Sequence, residues 1–163
     1  MEDKVNVFIV NNNIFSVYNL KKMIEKNSRV DKIWFSNDGR DSIPEIMKTE
    51  PDIAFLDMEM PKKNGLQIME ALYWYPCMKK NPKFVLITER TDESLYEEAR
   101  EMGFDFEIVH KPFDMERIHK CIDSFVPTEI DEEEEERKRQ EDNEILREEL
   151  KKWRMDQSQT SNE

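Results

Sequence analysis

Five short segments rich in apolar residues recur along the chain, and this pattern constrains the fold more than any other feature of the sequence. They are residues 5–10, 32–35, 52–56, 84–88 and 106–109. Each segment is continuous rather than alternating, as is typical of strands in the interior of a parallel sheet. We therefore predict five short β-strands that are buried on both faces.

Helix-compatible stretches separate the predicted strands. Asn13 is a suitable N-cap for a helix that continues to about Asn27. The predicted apolar face of this helix consists of Ile14, Val17, Leu20 and Ile24. Four further helices are predicted: one with Pro44 in its first turn that ends near Thr49, one from Asn64–Gly65 to about Tyr75, one from Thr91 or Asp92 to Gly103, and one from Asp114 to Phe125. This alternation predicts an α/β fold, a (βα)₅ doubly wound parallel five-stranded sheet with helices on both faces.

Polar residues stand directly at the ends of four predicted strands. In doubly wound sheets the ligand-binding crevice lies at the carboxyl ends of the strands. We therefore expect one site to be built from Asn11, Asn12, Asp57, Thr88 and Lys111. The chain has only three glycines, and they form neither a GxGxxG nor a GxxxxGK[ST] loop. This argues against a dinucleotide-binding or P-loop enzyme.

The last part of the chain differs in composition from the rest. Residues 127–163 contain 14 acidic and 7 basic residues, so they carry −7 of the total net charge of −12, and residues 1–126 carry −5. We predict a globular domain over 1–126 and an acidic, helical tail over 127–163 with a disordered end from about Asp156. Leu146, Leu150 and Trp153 form an apolar seam of only one heptad, shorter than coiled coils need. The sequence leaves three alternatives for the tail: a solvated helix, a helix that associates with a second copy or a partner, and a disordered segment.

Several functional classes are excluded by composition. No basic stripe is available to neutralise phosphates, so we expect no nucleic-acid binding. No apolar run approaches the length of a membrane span, and the start of the sequence lacks the apolar segment of a signal peptide. Cys77 and Cys121 form no CxxC pair, and we expect both to be reduced thiols in a cytoplasmic protein.

Three motifs fall in register with the predicted strands. Residues 57–65 read D-x-x-M-P-x-x-x-G, Thr88 ends the fourth strand, and Lys111-Pro112-Phe113 follows the fifth. With these motifs, residues 4–125 resemble the receiver domain of response regulators in bacterial two-component systems. The resemblance implies a flavodoxin-like fold with strand order 2-1-3-4-5 and a cis peptide bond before Pro112.

The resemblance also implies a chemistry for the expected site. Asp57 would accept a phosphoryl group, the Lys111 ammonium would offset the negative charge, and Thr88 would donate its hydroxyl to a phosphoryl oxygen. The implied cofactor is Mg²⁺, and the implied partner is a histidine kinase or another signalling protein. We therefore expect a phosphorelay module that acts through protein–protein contacts and is not an enzyme.

The sequence departs from the family where the metal would bind. Two acidic residues usually follow the first strand and hold Mg²⁺, but Asn11 and Asn12 stand at these positions. Mg²⁺ favours carboxylate oxygens, so the remaining set of Asn11, Asn12, Asp57 and Glu59 predicts a degenerate site with weak or absent metal binding. We accordingly predict a divergent receiver, or pseudo-receiver, with weakened or lost phosphorylation of Asp57. The alternative is a fully phosphorylatable single-domain response regulator.

Other positions near the site also differ from the family. Glu89 and Arg90 follow Thr88, where a small residue is usual. Arg90 would either pair with Glu59 over the site or stay solvated. Ile108 stands where the family places an aromatic residue, and Phe106 would either take that role or pack in the core. His110 is expected to have no catalytic duty.

Two questions about output stay open. We expect signalling through the last helix and strand or through the tail, because we expect no effector domain, and a homodimer is possible. As a remote alternative, Asp57, Glu59, Thr88 and Lys111 are also similar to the haloacid-dehalogenase phosphatase set. In that superfamily, however, the nucleophile follows the first strand, whereas Asp57 follows the third.

Overall fold

The computed structural model describes residues 3–74, 78–127 and 132–159. The chain divides into two compact units, Met1–Pro127 and Thr128–Glu163. Within the described residues, the first unit contains five strands and five helices, and the second contains one helix. The predicted helix end at Tyr75 and the thiol of Cys77 lie outside the described residues.

The strands of the first unit form one parallel sheet. They are β1 (Val5–Val10), β2 (Val30–Ser36), β3 (Ile53–Asp57), β4 (Lys83–Thr88) and β5 (Phe106–His110). Their order is β2-β1-β3-β4-β5, which confirms the predicted order. The prediction that all five are buried on both faces is wrong for β2 and β5. These two are the edge strands, so each lacks a neighbour on one side, whereas β1, β3 and β4 lie in the middle of the sheet.

Five helices connect and follow the strands. They are α1 (Ile14–Glu25), α2 (Ser42–Thr49), α3 (Gly65–Trp74), α4 (Ser94–Glu101) and α5 (Met115–Asp123). The Asn13 side chain caps α1 by accepting from the N–H groups of Phe15 and Ser16 at 3.0 and 3.2 Å. Asp114 caps α5 in the same way. The helix α4 begins at Ser94, two or three residues after the predicted start at Thr91 or Asp92, because the Asp92 side chain bonds to the Ser94 N–H before the helix starts.

Apolar side chains fill both faces of the sheet. α1 and α5 pack on one face through Val17, Leu20, Ile24, Ile118, Cys121 and Ile122. α2, α3 and α4 pack on the other through Ile46, Ile68, Met69, Leu72, Tyr96 and Ala99. Ile14, predicted to belong to the apolar face of α1, is 51% exposed. It lies in the first turn, directly after the exposed Asn12 and Asn13, and burial of the helix begins only at Val17.

Two glycines allow close packing beneath the end of β3. A Cβ atom on Gly65 would lie 2.9 Å from both Cβ and the carbonyl oxygen of Leu56, so only glycine fits at the start of α3. A Cβ atom on Gly39 would lie 2.1 Å from the carbonyl oxygen of Lys63. The loop after β2 therefore packs tightly against the loop after β3, and the start of α3 packs tightly against Leu56. Both contacts fix the main chain around Asp57.

The second unit is the helix α6 (Glu132–Gln159), which confirms the predicted C-terminal helix. Its larger apolar side chains are exposed: Ile145, Leu146, Leu150, Trp153 and Met155. The helix continues past Asp156, where disorder was predicted to begin, because residues 156–159 contain neither proline nor glycine to end it. Residues 160–163 lie outside the described residues. Nowhere in the described ranges is a helix both long and apolar enough to span a membrane.

Candidate functional site

Neighbouring strand ends bring the predicted site residues together. Asp57 is the last residue of β3, Thr88 is the last residue of β4, and Lys111 follows β5. Main-chain hydrogen bonds tie these ends to one another, from the Met58 N–H to the Ile87 carbonyl and from the Lys111 N–H to the Thr88 carbonyl, both at 2.8 Å. The backbone of the site is therefore an extension of the sheet.

Asp57 is almost fully buried, at 2% exposure, and both of its oxygens accept hydrogen bonds. Oδ2 accepts from Lys111 Nζ at 2.6 Å and from Asn11 Nδ2 at 2.8 Å. Oδ1 accepts from the main-chain N–H of Glu59 at 2.7 Å. Asp57 and Lys111, which the sequence places in one site, thus form an ion pair in the structure.

Asn11 is fixed in one orientation by its two partners. Its Oδ1 accepts from the Asn13 N–H at 2.9 Å, and its Nδ2 donates to Asp57. A main-chain N–H requires an acceptor and a carboxylate requires a donor, so the amide turns its NH₂ group, not its oxygen, toward Asp57. Asn12 is exposed, in contrast to the 8% exposure of Asn11.

The Glu59 side chain lies over the end of β4. Its Oε1 accepts from the Thr88 hydroxyl at 2.7 Å and from the Glu89 N–H at 3.0 Å, and its Oε2 lies 3.4 Å from Lys111 Nζ. The alternative in which Arg90 pairs with Glu59 is wrong for the described residues, whose ion pairs join Glu59 to Lys111 instead. Lys111 is half-buried and already held by Asp57, whereas ordering the exposed Arg90 side chain would cost entropy.

Burial and charge shift the pKa values of the three charged groups in different directions. Burial raises the pKa of Asp57 above its ordinary value, and the hydrogen bond and charge of Lys111 only partly offset this. Burial lowers the pKa of Lys111, but the hydrogen bond and charge of Asp57 and the charge of Glu59 outweigh it, so the pKa is raised. Burial raises the pKa of Glu59, but hydrogen bonds from Thr88, the Glu89 N–H and Lys111 outweigh it, so this pKa is lowered. The ammonium of Lys111 is therefore shared by two carboxylates.

As they stand, these residues do not fit a Mg²⁺ ion. Within residues 3–74, 78–127 and 132–159, no group of three or more His, Cys, Asp or Glu side chains is placed to hold a metal. Asn11 presents NH₂ rather than oxygen, and the Glu59 carboxylate is turned toward Thr88. Mg²⁺ requires a near-octahedral shell of oxygens, which an Asn11 NH₂ group directed at Asp57 and a Glu59 carboxylate bound to Thr88 do not supply.

Sequence reasoning missed Tyr96 of α4. This side chain is 0% exposed and packs 5.9 Å from the Phe106 ring, so Phe106 packs in the core rather than standing free. Within the described part of the chain, the Tyr96 hydroxyl is buried without a hydrogen-bond partner, and burial raises its pKa. The spacing of Tyr96 and Ala99 along α4 was the available signal, since both face the sheet. Ile108 is half-buried, His110 is exposed, and the peptide bond before Pro112 is cis as predicted.

Residues 7–123 match the family model of the response regulator receiver domain. The chain belongs to this family. Receiver domains of this kind serve two-component signal transduction, and they typically bind Mg²⁺ for phosphorylation and interact with histidine kinases and other signalling proteins. The match begins within β1, includes β2 to β5, and ends at the last residue of α5.

Relatives of this receiver domain include much longer proteins. Sensory transduction protein LytT of Bacillus anthracis is 28% identical over 119 residues, which are 73% of this chain and 46% of that protein. Protein-glutamate methylesterase/protein-glutamine glutaminase 3 of Geobacter sulfurreducens is 28% identical over 101 residues, which are 61% of this chain and 26% of that protein. The chain thus spans less than half the length of these two relatives.

Solved structures share the fold of this receiver domain. Chemotaxis protein CheY4 of Vibrio cholerae has a TM-score of 0.65 at 19% identity, over 76% of this chain and 99% of that one. The response regulator domain of Thermotoga maritima CheB has a TM-score of 0.62 at 20% identity, over 77% of this chain and 99% of that one. At this level of sequence identity, the structural similarity shows a shared fold and nothing further.

Proposed function

We propose that this domain is a divergent receiver that transmits signals through protein–protein contacts and whose Mg²⁺-dependent phosphorylation at Asp57 is weakened or lost. The observation that carries the proposal is the contact of 2.8 Å between Asn11 Nδ2 and Asp57 Oδ2. In this contact an amide donor stands where the family places an acidic metal ligand. Asp57 thereby accepts hydrogen bonds from Asn11, from Lys111 and from the main-chain N–H of Glu59.

The charge of the site supports weak metal binding. Asp57 and Glu59 contribute two negative charges, and Lys111 neutralises one of them at 2.6 and 3.4 Å. With the lysine counted in both, the net charge is −1 here and −2 for the three carboxylates of a typical receiver, so this site attracts a divalent cation less strongly. Without the cation, an incoming phosphoryl group is repelled by Asp57 with only Lys111 to offset the repulsion.

Contact with a partner protein is supported by exposed apolar side chains next to the site. At the start of α1, Ile14, Phe15 and Tyr18 are 51%, 78% and 57% exposed. Clustered apolar side chains of this size at a surface favour a protein interface. A histidine kinase or another signalling protein is the proposed partner, and homodimerisation, lack of nucleic-acid binding and cytoplasmic localisation stay predictions from the sequence.

The fully phosphorylatable response regulator is the second candidate, and Asp57, Thr88 and Lys111 favour it because all three converge at one crevice. Family membership argues against the haloacid-dehalogenase alternative, since the receiver match includes the strand that ends in Asp57. The enzymatic activity named in a relative such as the methylesterase is that of a protein of which this chain spans about a quarter.

Mg²⁺ titration of Asn11→Asp against the unchanged protein tests the proposal. The substitution places a carboxylate 2.8 Å from Asp57, where the amide now donates. We expect the unchanged protein to show no saturable Mg²⁺ binding at low millimolar concentrations and the variant to show it, by the NMR shifts of the loop after β1. Asn19→Asp is the matched control, because Asn19 is exposed on α1 and the substitution adds the same charge outside the predicted metal site. Tight Mg²⁺ binding by the unchanged protein would refute the proposal.

A further inference from the structure

Three hydrogen-bond donors from two neighbouring strand ends converge on the Glu59 carboxylate. They are the Thr88 hydroxyl at 2.7 Å, the Glu89 main-chain N–H at 3.0 Å and Lys111 Nζ at 3.4 Å. A hydroxyl, a main-chain amide and an ammonium together form a set suited to an oxyanion. The structure therefore contains an oxyanion-binding position beside Asp57, and one of the chain's own carboxylates fills it.

The orientation of the Thr88 hydroxyl is fixed by two contacts. Its oxygen accepts from the Arg90 N–H at 3.0 Å, and its hydrogen is donated to Glu59. Thr88 is 0% exposed, so losing this acceptor would leave a buried donor unpaired, which is unfavourable. The contact thus holds Glu59 in place as firmly as it holds Thr88.

The main chain at Glu59 is also fixed, because its N–H donates to Asp57 Oδ1 at 2.7 Å. The side chain then turns from the end of β3 across to the end of β4, where it meets Thr88. The hydrogen bonds from Thr88 and the Glu89 N–H outweigh burial and lower the pKa of Glu59, so the carboxylate stays ionised at neutral pH.

We propose that Glu59 is a built-in occupant of the oxyanion position beside Asp57 and closes that position to a phosphoryl group. This inference rests on the proposed function, because it names a second cause of weak phosphorylation besides the missing metal ligand. An incoming phosphoryl group would have to displace Glu59 from Thr88 and the Glu89 N–H. It would also have to compete with Glu59 for the same Lys111 ammonium.

Glu59 has a second consequence for Thr88. With the carboxylate in place, the Thr88 hydroxyl is already donated to an anion while Asp57 is unmodified. Thr88 therefore gains no new hydrogen bond when a phosphoryl group arrives.

Binding of inorganic phosphate to full-length Asp57→Asn variants tests the proposal. Asp57→Asn removes the acceptor carboxylate, so that only noncovalent binding is measured. To this background we add Glu59→Ala, which vacates the position, or Glu89→Ala, the matched control. The control removes one negative charge from the same rim but keeps the Glu89 main-chain N–H and the Glu59 carboxylate.

At constant ionic strength, the Glu89 amide shift in ¹H–¹⁵N NMR spectra reports phosphate binding. We expect Glu59→Ala to bind phosphate at least about fivefold more tightly than the Asp57→Asn background, since removing one charge at about 4 Å in water is worth about 1 kcal/mol. Glu89→Ala should stay within about twofold of the background, because its charge does not occupy the position. Adding Lys111→Met to the Glu59→Ala variant should abolish the gain.

Glu59→Gln separates occupancy from charge and serves if the alanine variant does not fold. It keeps an acceptor for Thr88 but loses the charge, so its gain in affinity should lie between those of the background and the alanine variant. Equal phosphate affinity in the background, Glu59→Ala and Glu59→Gln variants would overturn the proposal. Because Asp57 is absent throughout, that outcome leaves the proposed loss of Mg²⁺-dependent phosphorylation standing, while the titration of Asn11→Asp tests the latter separately.

Discussion

Lys111 Nζ lies 2.6 Å from Asp57 Oδ2, in an ion pair whose carboxylate side chain is only 3% exposed. A charge pair of this kind stabilises the fold only while both members are present, because an isolated buried charge is costly. Lys111 also determines the net charge of the crevice, because among the described ion pairs it is the one cation that contacts Asp57 and Glu59.

Replacing Lys111 with methionine is expected to raise the pKa of Asp57 further above its ordinary value. The ammonium now opposes the effect of burial, and methionine removes both its hydrogen bond and its charge. The measurement is a ¹³C NMR titration of the Asp57 carboxyl group. Lys62→Met, which breaks the exposed pair with Asp38, is the control and should leave Asp57 unaffected. An unchanged Asp57 titration in Lys111→Met would contradict the pairing.

A second ionic cluster links β4, β5 and α5 and is expected to govern acid stability. Burial raises the pKa of Glu107, but hydrogen bonds from Arg117 and Lys83 outweigh it, so the pKa is lowered from 4.5. The folded state thus binds this proton less readily than the unfolded state. The contribution of Glu107 to stability is present above pH 4.5 and is lost as the pH falls through the lowered pKa.

Urea denaturation at a series of pH values checks this expectation. Glu107→Gln should lower the free energy of unfolding at pH 7 and make it fall less steeply below pH 4.5 than in the unchanged protein. Glu97→Gln, at an exposed position of α4, is the control and should leave the acid dependence unaltered. Parallel pH profiles for Glu107→Gln and the unchanged protein would show that the cluster contributes no pH dependence.

The start of α3 is expected to tolerate only glycine. Gly65→Ala places a methyl group 2.9 Å from two atoms of the buried Leu56, directly before Asp57. We expect a loss of about 1–3 kcal/mol in the free energy of unfolding. The unchanged protein is the reference, and equal stability of the variant and the unchanged protein in urea would refute the packing argument.

The acidic helix is expected to be dispensable for folding of the receiver unit. The two units are separately compact, and the apolar side chains of α6 are exposed. A chain truncated after Pro127 should keep a cooperative thermal transition within a few degrees of that of the full chain. A broad or strongly lowered transition measured by circular dichroism would show that α6 contributes to the core.

Much of the fold could be predicted from the sequence because it depends on local patterns. The apolar runs, Asn13 and Asp114 as caps, and the proline after Lys111 each carry their signal in a few neighbouring residues. The exposure of β2 and β5 could not be predicted from these runs, since burial depends on the place of a strand in the sheet. Family resemblance implied the strand order.

The side-chain contacts of the site were less predictable. The pair of Asp57 and Lys111 could be expected from position, because both residues stand at strand ends on either side of β4 at the same edge of the sheet. The partners of Glu59 could not be predicted, because Arg90, Lys111 and the donors at the end of β4 were all candidates. The path of the Glu59 side chain in three dimensions decides among them. Tyr96 was missed for the same reason, because a tyrosine in a charged helix gives little indication of full burial.

Phosphorylation of Asp57 by a small phosphodonor tests the central claim most directly. The full chain is incubated with acetyl phosphate and Mg²⁺, and the mass of the intact protein is followed over time, with Asp57→Asn as the control for other sites. We expect little or no Asp57-dependent labelling of the unchanged protein, and labelling that rises when Asn11→Asp and Glu59→Ala are combined. Rapid, Mg²⁺-dependent labelling of the unchanged protein that disappears in Asp57→Asn would contradict the account.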